Sequence, residues 1–144
     1  MKKSRIYVAS PLSPIEGEVL VNNMSSARLY CSIISINTSW RALAPHSYLP
    51  FFLDDSCEEE RKLALQFGLD LISICDCIAV CGNRISPGMK GEILHAATIG
   101  IPVYVADENL IEEVSLLCKD YDNQVSLLDC DDSRLAMCSS ELFC

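Results

Sequence analysis

The sequence has no apolar run close to the roughly 20 residues that span a bilayer, which argues against a membrane-spanning helix. It has neither a G-x-G-x-x-G stretch nor the Gly-Lys-Ser/Thr of a P-loop, so dinucleotide dehydrogenase and NTPase readings are weak. Basic residues are scarce: 11 Lys and Arg face 20 Asp and Glu, for a net charge of −9. Such a chain is a poor partner for the backbone of a nucleic-acid polymer. No internal repeat or low-complexity segment is present, and 144 residues suit one domain rather than two. No CxxC pair occurs among the nine cysteines, so the usual zinc-site spacings are missing. Cys75, Cys77 and Cys81 lie in apolar runs and read as reduced core thiols of a cytoplasmic protein. No metal and no cofactor is expected.

Half the residues are hydrophobic and 22% are charged, enough for a packed core. The acidity is uneven. Residues 1–106 carry a net charge of −1 and residues 107–144 carry −8. This shift suggests that the working site occupies the first three quarters; the domain is expected to span residues 1–128, with 129–144 as an acidic tail or peripheral element. The opening Met1 to Ala9 is basic but has only a short apolar stretch, so it reads as a first strand rather than a signal peptide.

Apolar segments alternate with helical ones. Arg5 to Ala9, Trp40 to Ala44, Asp76 to Cys81 and Pro102 to Ala106 read as strands, with Gln124 to Leu128 a candidate fifth. Ser13 and Glu16, with Pro14 between them, form a capping box that predicts a helix from there to about Ile36. Ser56 and Glu59 predict a second helix through about Ile74. Ser86-Pro87 opens a third that ends at the C-cap Gly100, and Glu108 to Lys119 is a fourth. Pro45 to Asp55 is a loop rich in aromatics and prolines. The strands are uniformly apolar, as when both faces are covered. The alternation predicts one α/β domain, a doubly wound parallel sheet of four to five strands with helices on both faces.

Ligands of such sheets bind beyond the carboxyl ends of the strands. Three loops should therefore converge: Ser10 to Ser13, Pro45 to Tyr48, and Cys81 to Met89. The first brings hydroxyls and a helix N-terminus suited to an anion. His46 follows a strand end and either bonds a sugar or phosphate or is a satisfied loop residue. In the third loop Gly82 and Gly88 admit close backbone approach, and Ser86 either caps the helix or touches an anion. Glu92 has apolar helical neighbours in Met89 and Ala96, and such a carboxylate is costly unless paired or used. Asp70 lies among apolar residues of the second helix. Two carboxylates near one pocket suit glycosyl transfer.

The stretches Ile6-Tyr7-Val8-Ala9-Ser10, Cys75-Asp76-Cys77-Ile78-Ala79-Val80 and Ser86-Pro87-Gly88-Met89-Lys90-Gly91-Glu92-Ile93, then Ala96-Ala97 and Gly100-Ile101-Pro102-Val103, resemble the nucleoside 2-deoxyribosyltransferase superfamily. That superfamily includes the 2′-deoxynucleoside 5′-phosphate N-hydrolases. Within it the chain resembles a branch of small domains of unknown function with a CD…G…SxGMxxEI pattern, over residues 5–106. The resemblance implies a flavodoxin-like sheet and a homo-oligomer, a dimer or larger, whose neighbours complete the sites. It implies that Glu92 attacks the anomeric carbon while Asp70 serves as the acid near the base. By that resemblance Ser86 and Gly88 would hold phosphate or sugar, Ser10 would lie in the first loop, and His46 stands where the hydrolases also have a histidine; Pro11, Gly82, Arg84 and Met89, in the first and third loops, complete the candidate substrate site. The chain departs from the family in its first loop, where Ser-Pro-Leu-Ser-Pro replaces a glycine-rich segment, and at Met89 and Lys90. The function implied is hydrolysis of, or deoxyribosyl transfer from, a small-molecule nucleoside or nucleotide. The alternative is a binding module that sequesters a nucleotide-derived small molecule, for which Arg84, Ser86 and the helix N-terminus serve equally well. A third reading is a scaffold whose acidic end contacts another protein.

Overall fold

A computed structural model describes residues 4–143. Five strands form one parallel sheet: β1 (Arg5–Ala9), β2 (Arg41–Leu43), β3 (Cys77–Val80), β4 (Val103–Val105) and β5 (Val125–Leu127). Their spatial order is β2-β1-β3-β4-β5. Five helices accompany them: α1 (Leu20–Asn37), α2 (Glu58–Ile72), α3 (Pro87–Ile99), α4 (Ile111–Leu117) and the short α5 (Ser139–Leu142). The fold is thus the expected doubly wound, flavodoxin-like sheet, with its topological switch between β1 and β3. No helix among the described residues is long and apolar enough to cross a membrane.

Alternation along the strands builds two cores. Ile6 and Val8 of β1, with Cys77 and Ala79 of β3, pack against Ala27, Tyr30, Ile33 and Ile34 of α1. Tyr7 and Ala9, with Ile78 and Val80, point to the opposite face and pack with Ile72 of α2, Met89 and Ile93 of α3 and Val114 of α4. Successive side chains of a strand point to opposite faces, so Tyr7 is committed to the α2–α3 side.

Two helix starts differ from the sequence reading. Ser13 does not open α1. Its hydroxyl donates to Asp55, Gly17 turns the chain at φ +85°, and the helix begins at Leu20 with no side-chain cap. Ser56 does not open α2 either. Its hydroxyl and amide both go to Asp54, and Cys57 is the N-cap. In both cases a nearby aspartate takes the serine that a capping box needs. Ser86 behaves as read: its Oγ accepts from the Met89 amide, with Pro87 at the first helical position. Gly100 ends α3 in the left-handed region at φ +81°. The aromatic loop contains two 3-10 turns, Pro45–Ser47 and Leu49–Phe51, and a further one, Glu108–Leu110, precedes α4.

The acidic segment after 128 is docked. Leu135 is only 1% exposed within the α1-side core. Gly82 donates its amide to the Leu135 carbonyl at 2.7 Å, Tyr30 donates its hydroxyl to the Met137 carbonyl, and Ser139 donates to Asn23. All eight described cysteines are free thiols. Burial pushes Cys75 up to about 11 and Cys77 up to about 12, well away from the thiolate range of reactive sites.

Candidate functional site

The three loops converge as expected. His46 donates from Nδ1 to the Ser10 carbonyl at 2.9 Å, because a carbonyl can only accept. Arg84 reaches the Ser13 carbonyl at 3.0 Å. Gly82, at φ +90°, lies so close to Pro11 that a Cβ there would stand 3.1 Å from the proline Cδ.

On the α2–α3 side of this edge lies a cavity of about 280 Å³. That is near the lower end for ligand pockets, which run from roughly 300 to 1,000 Å³, so it suits a nucleoside-sized ligand better than a dinucleotide. Leu12, Pro45, Leu49, Pro50 and Leu53 form one apolar wall. Helix α2 contributes Arg61, Ala64, Leu65, Gly68 and Leu69, a single helical face. Helix α3 contributes Pro87, Gly88, Gly91 and Glu92. The polar groups are few: Tyr7, His46, Asp55, Arg61 and Glu92.

Glu92 is the centre of this wall. It is 5% exposed. Tyr7 donates its hydroxyl to Oε2, and His46 Nε2 lies 3.8 Å from the same oxygen. Oε1 is buried and has no hydrogen-bond partner among the described residues. Burial pushes the Glu92 carboxyl above its ordinary value, and His46 and the Tyr7 hydrogen bond oppose this without cancelling it. Burial, and then the Glu92 charge, push the Tyr7 phenol well above its ordinary value, so it remains a donor. With Nδ1 of His46 holding its proton against Ser10, Nε2 is the nitrogen that faces Glu92, 3.8 Å from Oε2.

Of the sequence candidates, Glu92, His46 and Gly88 line the cavity. Ser10 positions His46 through its carbonyl, and Pro11 packs behind it on Gly82. Ser86 is used as a cap and Met89 is fully buried in the core. Two candidates are elsewhere. Asp70 is exposed on α2 and accepts from Gln66 at 2.8 Å, because it stands about 200° around the helix from Gly68, the residue that faces Glu92. Arg84 is committed to Glu18, with Nη2 2.7 Å from Oε1 and Nε 3.2 Å from Oε2. Burial pushes Glu18 up, but hydrogen bonds from Arg84, Asn23 and the Ile15 amide outweigh it and hold its carboxyl below the usual value. Arg84 therefore staples the first loop to the third instead of offering a free cation.

Two functional residues were not evident in advance. Tyr7 carries the only polar side-chain atom in the buried part of β1, and a buried phenol requires a partner, which is a readable cue. Gly68 is where α2 passes the pair: a Cβ there would stand 3.0 Å from the Tyr7 hydroxyl and 3.5 Å from Glu92 Oε2. No local pattern around residue 68 announces that approach.

The sheet order and the ligand-sized cavity beside its switch point define a flavodoxin-like α/β domain with a buried carboxyl centre. Residues 4–106 match the family described as domain of unknown function DUF7768, and the chain belongs to that family. The match contains β1 to β4, Tyr7, His46 and Glu92. Comparison with curated proteins finds no match, and comparison with solved structures finds none either.

Proposed function

We propose that the cavity binds a nucleoside or nucleotide and that Glu92 cleaves its N-glycosidic bond, by hydrolysis or deoxyribosyl transfer. The observation that carries this reading is the state of Glu92: buried, oriented through Oε2 by Tyr7, and with Oε1 unpartnered at a ligand-sized cavity. Burial disfavours the charged form of Glu92, so a nucleophile requires that any proton it holds leave. His46 Nε2, 3.8 Å from Oε2, is the basic group that faces it. Glu92 passes its proton to His46, and its carboxylate attacks C1′ of the sugar. The N-glycosidic bond breaks with its electron pair going to the base, which takes a proton from the His46 imidazolium. The sugar is left as an ester of Glu92. Water or a second base, either one losing a proton to His46, then attacks C1′ and frees the carboxylate. Asp70 has no role in this scheme, since it faces solvent.

On the same reading the chain forms a homo-oligomer in the cytoplasm. An exposed apolar stripe on α2, Leu63, Phe67 and Ile74 just beyond its end, supports self-association.

One observation favours a binding module instead: α2 brings no carboxylate to Glu92, only Gly68. Incubation with deoxynucleosides and their 5′-monophosphates, with and without a free acceptor base, separates the two. Base release that vanishes in Glu92→Ala supports catalysis. Tight binding without release, by wild type and Glu92→Gln alike, supports the module.

A further inference from the structure

We infer that Arg61 reads an oxyanion, phosphomonoester or carboxylate, at the end of the ligand remote from Glu92. The inference rests on the cavity being a nucleoside or nucleotide site, but not on any chemistry at Glu92. Among the described residues, Arg61 is the only lysine or arginine that lines the cavity. It has no ion pair among the described residues. Three of the acidic groups near it in sequence have other partners. Glu58 pairs with Lys62 at 3.5 Å, Glu60 accepts the Asp54 amide at 3.3 Å, and Asp55, also in the lining, accepts from Ser13. Arg84, the cation that the sequence offers for this task, is consumed by Glu18.

The placement also sets a length. Arg61 and Gly68 lie seven residues apart on one face of α2, about 10 Å along the axis. Gly68 marks the level of Glu92 Oε2. Helical side chains lean toward the N-terminus, so the guanidinium extends away from Glu92. A ligand with its sugar at Glu92 and an anion several ångströms further out meets both groups. A guanidinium presents a planar fork of donors that matches either oxyanion.

The test uses the full chain carrying Glu92→Gln, which blocks turnover. Each of the four 2′-deoxynucleosides, its 5′-monophosphate and its 5′-carboxylic acid is titrated calorimetrically. The 5′-anionic forms should bind at least tenfold more tightly than the parent nucleoside. Adding Arg61→Ala should erase that gap and leave nucleoside affinity within twofold, while Arg61→Lys should keep part of it. A gap for the monophosphate alone assigns Arg61 to phosphomonoesters, and equal gaps assign it to oxyanions generally. A gap that survives Arg61→Ala, or nucleosides that bind as well as their anionic forms, overturns the inference while the nucleoside reading stands. No binding by any of the panel overturns both.

Discussion

Replacing Glu92 by glutamine removes a titratable group from the cavity wall and keeps its shape and its acceptor for the Tyr7 hydroxyl. The carboxyl is 5% exposed, and burial raises it above its ordinary value in the folded chain. The sign follows directly. Below the unfolded value both states hold the proton, and the group costs the fold nothing. As pH rises through the folded value, the unfolded chain has already released its proton while the folded chain must ionise a buried group. Wild type therefore loses stability over that window and the glutamine variant does not. Each unit of elevation corresponds to about 1.4 kcal/mol. For a domain of this size about 1 kcal/mol moves Tm by about 3 °C, so each unit opens a gap of about 4 °C. Thermal melts of both proteins from pH 4 to 8 at fixed ionic strength read this as a slope, independent of any constant offset from the amide. A gap that widens in favour of Glu92→Gln as pH rises is the expected result. Parallel curves, or a gap that narrows, would refute the claim that burial raises the Glu92 carboxyl in the folded chain.

Three further outcomes follow from the geometry. Gly68→Ala gains about 1 kcal/mol of helix propensity but sets a Cβ 3.0 Å from the Tyr7 hydroxyl, so stability should change by less than about 1 kcal/mol while base release falls at least tenfold. Unchanged turnover would show that the Tyr7–Glu92 pair tolerates displacement. Arg84→Ala strands the nearly buried Glu18 and should cost about 2–3 kcal/mol by urea unfolding, with a double-mutant cycle against Glu18→Gln recovering most of it. Leu135→Ala should cost about 2–5 kcal/mol, since this side chain is 1% exposed in the α1-side core; a cost near zero would mean that the segment after 128 is dispensable to the fold.

Much of the fold is legible in the residues. The β1 bounds follow from an apolar run ended by Ser10-Pro11, and α3 follows from Ser86-Pro87 at one end and Gly100 at the other. The helix starts at Ser13 and Ser56 are not legible, because each serine has two chemically equivalent uses. An aspartate that competes for its hydroxyl is decided by tertiary placement, in the case of Asp55 from 42 residues away. Within the site, Glu92 stands out as a carboxylate on an apolar helical stripe, and its burial justifies that reading. Asp70 carries the same cue but points outward, since the inward face of α2 is set by Leu65, Gly68 and Leu69. Arg84 invites an anion until its partner is known, and Glu18 lies 66 residues earlier in the chain. Long-range pairing of charged groups decides these assignments, and periodicity does not encode it.

The central claim is that Glu92 becomes covalently joined to the sugar. The most direct measurement is the intact mass of the protein after brief incubation with 2′-fluoro-arabinosyl nucleosides and their 5′-monophosphates, whose fluorine slows loss of the ester. The account predicts a mass gain equal to the sugar, located by peptide mapping at Glu92 and absent from Glu92→Gln. A folded protein that binds these compounds, releases no base and carries no added mass would contradict it and leave the cavity as a binding site.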